Sequence, residues 1–475
     1  MPTGDWITEH YPDLTVERLS SLIVGADTVV PTLSGPLRYI NFDNAASTPA
    51  FKPTIEGVTE FLKWYSNVHR GTGFKSQLAS WAFEEARDIV GEFVGADLST
   101  HVVIFTKNST EAINKLSNKA CLTRGDVILT TLMEHHSNEL PWRRVGKVDH
   151  IQLNDDGTIS REDFQAKLKA YAGRVKLVAL TGASNVSGYI NDIDYFATET
   201  HKAGAKFLVD GAQLVPHRKV EMKQHGDPRH IDFLVFSAHK MYAPFGVGVI
   251  VGDKECFDTG DPSEVGGGVV DIVTLEEAYW TDLPEKEEAG TPDIVGVVAL
   301  GRTVRLFEKL GWDSIIRHEA ELTARALEGL NKIDGVTVYG STDPAKASER
   351  LGVVSFNVDN VPHALTAAIL SYEGAIGVRA GCFCAHTYVK ELMKVSDEAA
   401  RKYELEILNR DRSHLPGAVR ASFGLYNTVE EIDRFVNVVT TIASGQYKGD
   451  YVLNKERGEY TPKGFEFAFA DHFRF

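Results

Sequence analysis

Between residues 100 and 252 the chain alternates short apolar runs with segments of helical period. VVIF (102–105), DVILTT (126–131), VKLVALT (175–181), KFLVD (206–210), DFLVFS (232–237) and GVGVIVG (246–252) are short, β-branched and bounded by turn residues. That is the pattern of buried strands. The intervening stretches 109–121, 160–171 and 192–203 place apolar residues at helical spacing. Strands that alternate with helices are joined by right-handed crossovers, which predicts an α/β domain with a mostly parallel sheet covered on both faces.

From about residue 300 the texture changes. A long helical pattern, roughly 301–332, leads to strand-like VTVYG (336–340) and GVVSFNV (352–358). An amphipathic segment (362–373), the strand IGVRA (376–380), a strand near 418–422 and a closing helix (428–443) follow. This predicts a smaller α+β domain. The expected organisation is an N-terminal segment 1–40 packing on the small domain, a large domain 41–300, a small domain 301–445 and an extension 446–475. The extension ends in FEFAFADHFRF, aromatic enough to dock on a surface rather than stay solvated.

Composition narrows the function classes. With 475 residues, 43% hydrophobic and 24% charged, the chain can bury a large core in two or three domains. A net charge of −16 argues against broad binding to nucleic acid or anionic membranes. Four cysteines (121, 256, 382 and 384) in so long a chain make no disulfide framework, which suits a reducing compartment. The start MPTGDWITEHYPDL has no basic-then-apolar leader, and no apolar run is long enough to span a bilayer. The expectation is a soluble, cytoplasmic protein.

The chemistry gathers at strand ends. In SAHKMYAPFG (237–246), Lys240 follows a buried strand at the edge where ligands bind in parallel sheets. A partly desolvated lysine there is a competent amine nucleophile toward an aldehyde, although a lone lysine after a strand is ordinarily a surface residue. VDGAQ (209–213) puts Asp210 at the same edge. A carboxylate there can keep the pyridine nitrogen of pyridoxal 5′-phosphate protonated, so that the ring accepts electrons, and Gln213 can bond its phenolic oxygen. In TKNSTEAINK (106–115), Ser109 or Thr110 is expected to cap a helix whose N-terminal amides would face a phosphate; an ordinary capping box is the plainer reading. The paired histidines of MEHHSNELPW (133–142) lack the spacing of a helical zinc site, so no metal is expected, and His135 is assigned to stack on the pyridine ring. Asn185 of TGASNVSG (181–188) lies on a loop after a strand, placed to bond a substrate carboxylate or the cofactor.

Taken in order and spacing, INFDNAAST, NVHRG, NSTEAIN, EHHSN, SNVSG, VDGAQ, SAHK, EAGTP, RAGCFCA and VRASFGLYNT resemble the cysteine desulfurases within the class V aminotransferases. The likeness is greatest to the branch related to selenocysteine lyases and to the sulfurase domain of molybdenum-cofactor sulfurases, which share the CFC pattern. It runs from about residue 39 to 440. It implies a homodimer of the fold-type I architecture that carries pyridoxal 5′-phosphate on Lys240, with Asp210 at the pyridine nitrogen, His135 on the ring face and Gln213 at the phenolic oxygen. It further implies that Ser109, Thr110, Ser237 and His239 hold the phosphate, joined by Thr291 from the second subunit. Arg420, assisted by Asn185, binds the substrate carboxylate.

By the same likeness, a cysteine of VRAGCFCAH (378–386) takes sulfur from the substrate, and the position that matches is Cys384. Arg379 nearby would favour its thiolate and face the substrate. Cys382 either takes up the persulfide or simply packs. The expected reaction converts L-cysteine to L-alanine, leaving a persulfide on Cys384 for an acceptor protein. The alternative is another class V enzyme that does not use Cys384: a selenocysteine lyase, carbon–sulfur lyase, aminotransferase or epimerase. A cofactor-bearing scaffold with little turnover is the second alternative. NVHRGTGFKS (67–76) departs from the pattern by lacking the second histidine usual two residues after His-Arg-Gly. The stretch 395–416 is a charged, helical-looking insertion that either covers the site, meets a sulfur acceptor or is a solvated helix.

Overall fold

A computed structural model of the chain describes residues 6–120, 122–123 and 125–475, so Cys121 lies outside it. The chain forms two compact units. The larger runs to Val24 and resumes over Ala46–Ser184 and Ile190–Ile316; the smaller comprises Gly25–Ala45, Asn185–Tyr189 and Arg317–Phe475.

The larger unit is built on seven strands: β1 (His101–Thr106), β2 (Val127–Thr131), β3 (Lys147–Ile151), β4 (Val175–Thr181), β5 (Lys206–Asp210), β6 (Phe233–Ser237) and β7 (Gly248–Asp253). Their order across the sheet is β1-β7-β6-β5-β4-β2-β3. β7 runs antiparallel to both its neighbours, while β6-β5-β4-β2-β3 pair in parallel. The expected mostly parallel α/β sheet is therefore what forms. Val102, Ile104, Ile128, Leu177, Leu208, Val235 and Ile250 lie in one buried cluster with Ile113 and Leu116 of the helix Ser109–Lys119. Continuous apolar strands of this kind are what a sheet covered on both faces requires.

Because β2, β4, β5 and β6 are parallel, their C-terminal ends share one edge, which collects Thr131, Thr181, Asp210 and Ser237. The opposite edge carries a charge cluster. Asp232, just before β6, accepts hydrogen bonds from His201 Nε2 at 2.9 Å and from the Phe207 amide at 2.8 Å, and pairs with Lys206 at 2.8 Å. The rings of His201 and His230 stack at 3.9 Å with only 4° between their planes. His230 Nε2 also lies 3.5 Å from Asp232, so both imidazoles and Lys206 gather on the one carboxylate.

Burial alone would push Asp232 up, but bonds from His201 and His230 and the charge of Lys206 hold it well below the usual carboxylate range. The bond to Asp232 raises His230, against its burial. The signs follow by linkage. Asp232 stabilises the fold fully above its unfolded value of about 4 and loses that contribution as pH falls through its depressed folded value. His230 contributes fully below about 6.5 and loses its contribution as pH rises through its raised folded value. Asp232→Asn is therefore expected to lower stability by about 3 kcal/mol near neutrality. It should also flatten the acid limb of a melting-temperature profile; an unchanged acid limb would refute the assignment.

The helical pattern at 301–332 is not one helix. It resolves into Ile294–Leu310 and Trp312–Leu330, separated by Gly311 at φ 74°. That left-handed backbone interrupts the helix at a residue with no Cβ to oppose it. The start lies earlier than expected because Asp293 caps it, accepting a bond from the Gly296 amide at 2.9 Å.

In the smaller unit a four-stranded sheet pairs Val336–Tyr339, Val353–Val358, Ala418–Ser422 and Arg379–Gly381 in that order, all antiparallel. The predicted strand IGVRA splits: Ile376–Gly377 pairs instead with Ile40–Asn41, and only Arg379–Gly381 joins the sheet. Phe356, Ile369, Val419, Phe423 and Phe435 form its core with Leu322, Leu327 and Leu330 of Trp312–Leu330. The helix Val429–Ala443 closes the unit behind a capping box of Thr428 and Glu431. The insertion is helical over Asp397–Leu408. The aromatic tail docks only in part, since Phe469, Phe473 and Phe475 stay exposed. It forms a hairpin, Tyr451–Asn454 with Glu459–Pro462, after which Phe467 stacks on Tyr372 at 5.1 Å and Phe465 meets the same ring edge-on.

Candidate active site

In the larger unit the site is assembled at the C-terminal edge of the parallel strands. Asp210 closes β5 and is only 4% exposed; its Oδ1 accepts the Ala212 amide at 3.0 Å. Burial raises its pKa, and the Ala212 bond and the positive charge of Lys240 oppose that rise. Asp210 and Lys240 are thus electrostatically coupled. Lys240 ends a single turn, Ala238–Lys240, directly after β6. The backbone there is pinned from a distant segment: the His239 carbonyl accepts the Thr48 amide at 2.9 Å and the Thr48 hydroxyl at 3.1 Å. His239 Nδ1 meets Ser47 Oγ at 3.2 Å. Burial, and then the charge of Lys240, pushes His239 down to about 4, so its ring is neutral at neutral pH.

The Ser237 hydroxyl accepts the Ser109 amide at 2.8 Å, which ties the end of β6 to the start of the helix Ser109–Lys119. The helix cap is neither Ser109 nor Thr110. Asn108 holds that position, its side chain accepting the Glu111 amide at 2.9 Å. This leaves Ser109 and Thr110 inside the first turn, where helix amides and dipole favour an anion. The turn comes close to β7, because a Cβ on Gly248 would lie 2.3 Å from the Asn108 carbonyl carbon. Only glycine permits that approach.

Thr110 Oγ1 and Ser137 Oγ lie 2.7 Å apart, and the Ser137 amide donates to His135 Nδ1 at 3.2 Å. His135 Nδ1 therefore accepts, and its ring proton resides on Nε2. Below it lies Glu134, 4% exposed, which accepts Thr131 Oγ1 at 2.6 Å, Asn138 Nδ2 at 2.7 Å and the Thr181 amide at 3.0 Å. Burial pushes Glu134 up to about 8, against these bonds. It fastens the His135 turn to the end of β4, a role the sequence signalled only as a glutamate beside two histidines. Gln213 is buried one turn beyond Asp210. Thr291 is exposed and borders a recess of about 350 Å³ with Lys107 and Gly246.

A second set lies in the smaller unit. Arg420 is buried, its side chain 3% exposed, and donates from Nη2 to Asp43 at 2.9 Å and from Nη1 to the Asn185 carbonyl at 3.2 Å. Its Nε is buried with no hydrogen-bond partner among the described residues. Burial lowers the pKa of Arg420, and the neighbouring Asp43 opposes that. Arg379 pairs with the other oxygen of Asp43 at 2.8 Å and is half exposed. Asp43, which sequence reasoning passed over, thus orients both arginines.

The cysteine loop packs on this cluster. Asn185 Nδ2 donates to the Phe383 carbonyl at 2.8 Å, and the Arg420 guanidinium lies 4.9 Å from the centre of the Phe383 ring. Phe383 and Cys384 both take left-handed backbone, φ 54° and 55°. Two such non-glycine residues in succession are strained, and strain of this kind marks functional turns. It leaves Cys384 exposed, near enough to Arg420 for their charges to interact. Cys382 differs. It is partly buried, its thiol donates to the Pro416 carbonyl at 3.1 Å, and burial pushes it up to about 11.

The profile of the family described as aminotransferase class-V matches residues 40–435. The chain belongs to the class-V aminotransferases. A probable cysteine desulfurase of Halalkalibacterium halodurans is 40% identical over 408 residues, which span 84% of this chain and 91% of that protein. One from Pyrococcus abyssi is 37% identical over 410 residues, 84% of this chain and 93% of that one. Among solved structures, the apo cysteine desulfurase of Thermococcus onnurineus NA1 superposes with a TM-score of 0.77 at 35% identity, covering 90% of this chain and 98% of its own. The Escherichia coli cysteine desulfurase CsdA in its S-sulfonic acid form gives 0.71 at 28% identity, over 86% and 96%. Within the class-V aminotransferases the chain thus belongs to the cysteine desulfurase group. No helix among the described residues is long and apolar enough to cross a membrane.

Proposed function

We propose that this protein is a cysteine desulfurase that converts L-cysteine to L-alanine and holds the released sulfur as a persulfide on Cys384. The observation that carries the reading is the exposed Cys384 thiol, presented on a left-handed turn beside a buried arginine whose Nε has no hydrogen-bond partner among the described residues. A buried donor without a partner is costly, and a substrate carboxylate would satisfy it.

The larger unit fits pyridoxal 5′-phosphate. A buried carboxylate (Asp210) coupled to an amine (Lys240), an imidazole (His135) and hydroxyls at a helix N-terminus are the partners that its ring nitrogen, aldehyde, ring face and phosphate need. Lys240 would hold it covalently, Gln213 would meet its phenolic oxygen, and Ser109, Thr110, Ser237 and His239 would hold its phosphate. In a homodimer, Thr291 of one chain would complete the phosphate site of the other. When bound, the cofactor supplies an electron sink for the substrate's Cα.

The protein's own groups perform the remaining work. Arg420, oriented by Asp43, fixes the substrate carboxylate, with Asn185 and Arg379 at its side. Lys240 Nζ takes the proton from Cα as general base. Cys384 Sγ attacks the substrate sulfur, so that a sulfur–sulfur bond forms as the carbon–sulfur bond breaks. The electron pair of the broken bond stays with the substrate carbon, and protonation there completes the methyl group of alanine. An acceptor thiol then removes the outer sulfur from Cys384.

The test is alanine release from L-cysteine by the wild-type protein with a thiol reductant present. Stoichiometric alanine and sulfide are expected. Failure to release alanine from L-cysteine, in protein that turns over a different amino acid, would replace the reading with another class-V reaction.

A further inference from the structure

The smaller unit contains a cavity of about 870 Å³ that shares Arg379 and Cys382 with the second set of residues described above but otherwise lies apart from both. Three parts of the chain enclose it: the helix His363–Gly374, the insertion from Asp397–Leu408 to Pro416, and the hairpin Tyr451–Asn454 with Glu459–Pro462. Arg379, Gly381 and Cys382 of the cysteine loop form part of its wall.

Its charge runs against that of the protein. In a chain of net charge −16, Lys390, Arg412 and Arg457 all line this cavity. Arg379 is paired with Asp43, but among the described residues no carboxylate lies within ion-pair distance of Lys390, Arg412 or Arg457. Arg412 donates to the backbone carbonyl of Glu456, which fixes its guanidinium without neutralising it. Glu459 also lines the cavity, one carboxylate against these cations. Arg412 and Arg457 are exposed and Lys390 half-buried; like charges gathered around one concave recess repel one another, and a bound anion relieves that repulsion.

The walls are also suited to a ligand with a body. Tyr403 and Tyr460 face the cavity along with Ala364 and Ala367. His363 Nε2 donates to the Leu415 carbonyl at 3.0 Å, which leaves Nδ1 a buried acceptor with no partner among the described residues. The volume falls in the range of about 300–1,000 Å³ typical of small-molecule sites. Protein partners instead use broad faces of about 800 Å².

We propose that this cavity binds a small, multiply charged anion, with phosphate or carboxylate groups on a ring-bearing or apolar body, held against the Cys382 side of the cysteine loop. The site is additional to the desulfurase reading and does not depend on it, because it is tested by binding and by thiol protection.

The cofactor-loaded protein is titrated by calorimetry with inorganic pyrophosphate and, separately, with citrate. Saturable binding of at least one anion is expected, weakened about tenfold or more in the double variant Arg412→Gln/Arg457→Gln. The bound anion is also expected to slow alkylation of Cys382, read by mass spectrometry, and the double variant to lose that protection. Turnover of the amino-acid substrate should be unchanged in the variant. Binding of pyrophosphate alone marks a phosphorylated ligand, and binding of citrate alone a polycarboxylate. Lys390→Gln repeats the test without touching the hairpin, should the double variant fail to fold. Equal affinity in wild type and variants, or no saturable binding of either anion, overturns the proposal.

Discussion

The Cys384→Ala variant is expected to keep its cofactor, with the absorbance of the loaded protein unchanged, while alanine release from L-cysteine falls at least about 10³-fold. The loop does not need the thiol for its shape. Asn185 holds the Phe383 carbonyl, the Phe383 ring packs on Arg420, and the left-handed turn places residue 384 in solvent whatever its side chain. What the substitution removes is the nucleophile alone. Cys382→Ala is the control and should keep turnover within a few-fold of wild type. With its thiol pushed up to about 11 by burial and donating to Pro416, Cys382 stays a protonated thiol at neutral pH and is a poor nucleophile. Wild-type alanine release by Cys384→Ala would mean that carbon–sulfur cleavage needs no protein thiol. That would favour a lyase among the class-V enzymes.

The sheet was legible in the sequence because parallel strands buried on both faces are uninterrupted apolar runs. VKLVALT and KFLVD form strands over the residues expected, 175–181 and 206–210. The strand Lys147–Ile151 was missed for the converse reason. It is the sheet's edge, pairs on one side only and is buried mainly at its last residue, so KVDHI carries no apolar run. Residues 301–332 look like one helix because Gly301, Gly311 and Gly329 read alike in the sequence, and only Gly311 declares a break through its positive φ. The site was legible where a residue type and its place at a strand end carry the chemistry, as for Asp210 and Lys240. It was not legible where the role depends on a remote partner. Asp43 meets Arg420 across 377 residues, and Glu134 reaches a backbone amide 47 residues away. Asn108 rather than its neighbours is the cap, a choice the sequence leaves open because Asn, Ser and Thr in succession are all competent caps.

Replacing Lys240 by alanine is expected to have the other large effect: turnover falls about 10⁴-fold or more, and borohydride no longer fixes the cofactor to the protein. The variant should fold. The turn that carries Lys240 is pinned by Thr48 on the His239 carbonyl and by Ser237 on the Ser109 amide, and neither bond involves the lysine side chain. Asp210 also reports on the change. The charge of Lys240 is one of the two influences that hold its acidity against burial. Once that charge is gone, the carboxylate of the cofactor-free variant should bind a proton at higher pH than in the cofactor-free wild type, as a difference titration would record. Lys240→Arg keeps the charge but not the nucleophile, so it should preserve the Asp210 titration and still lose turnover. The two variants therefore separate what Lys240 does as a charge from what it does as an amine. Borohydride labelling of a different lysine, or undiminished turnover in Lys240→Ala, would move the centre of the site elsewhere on the strand edge.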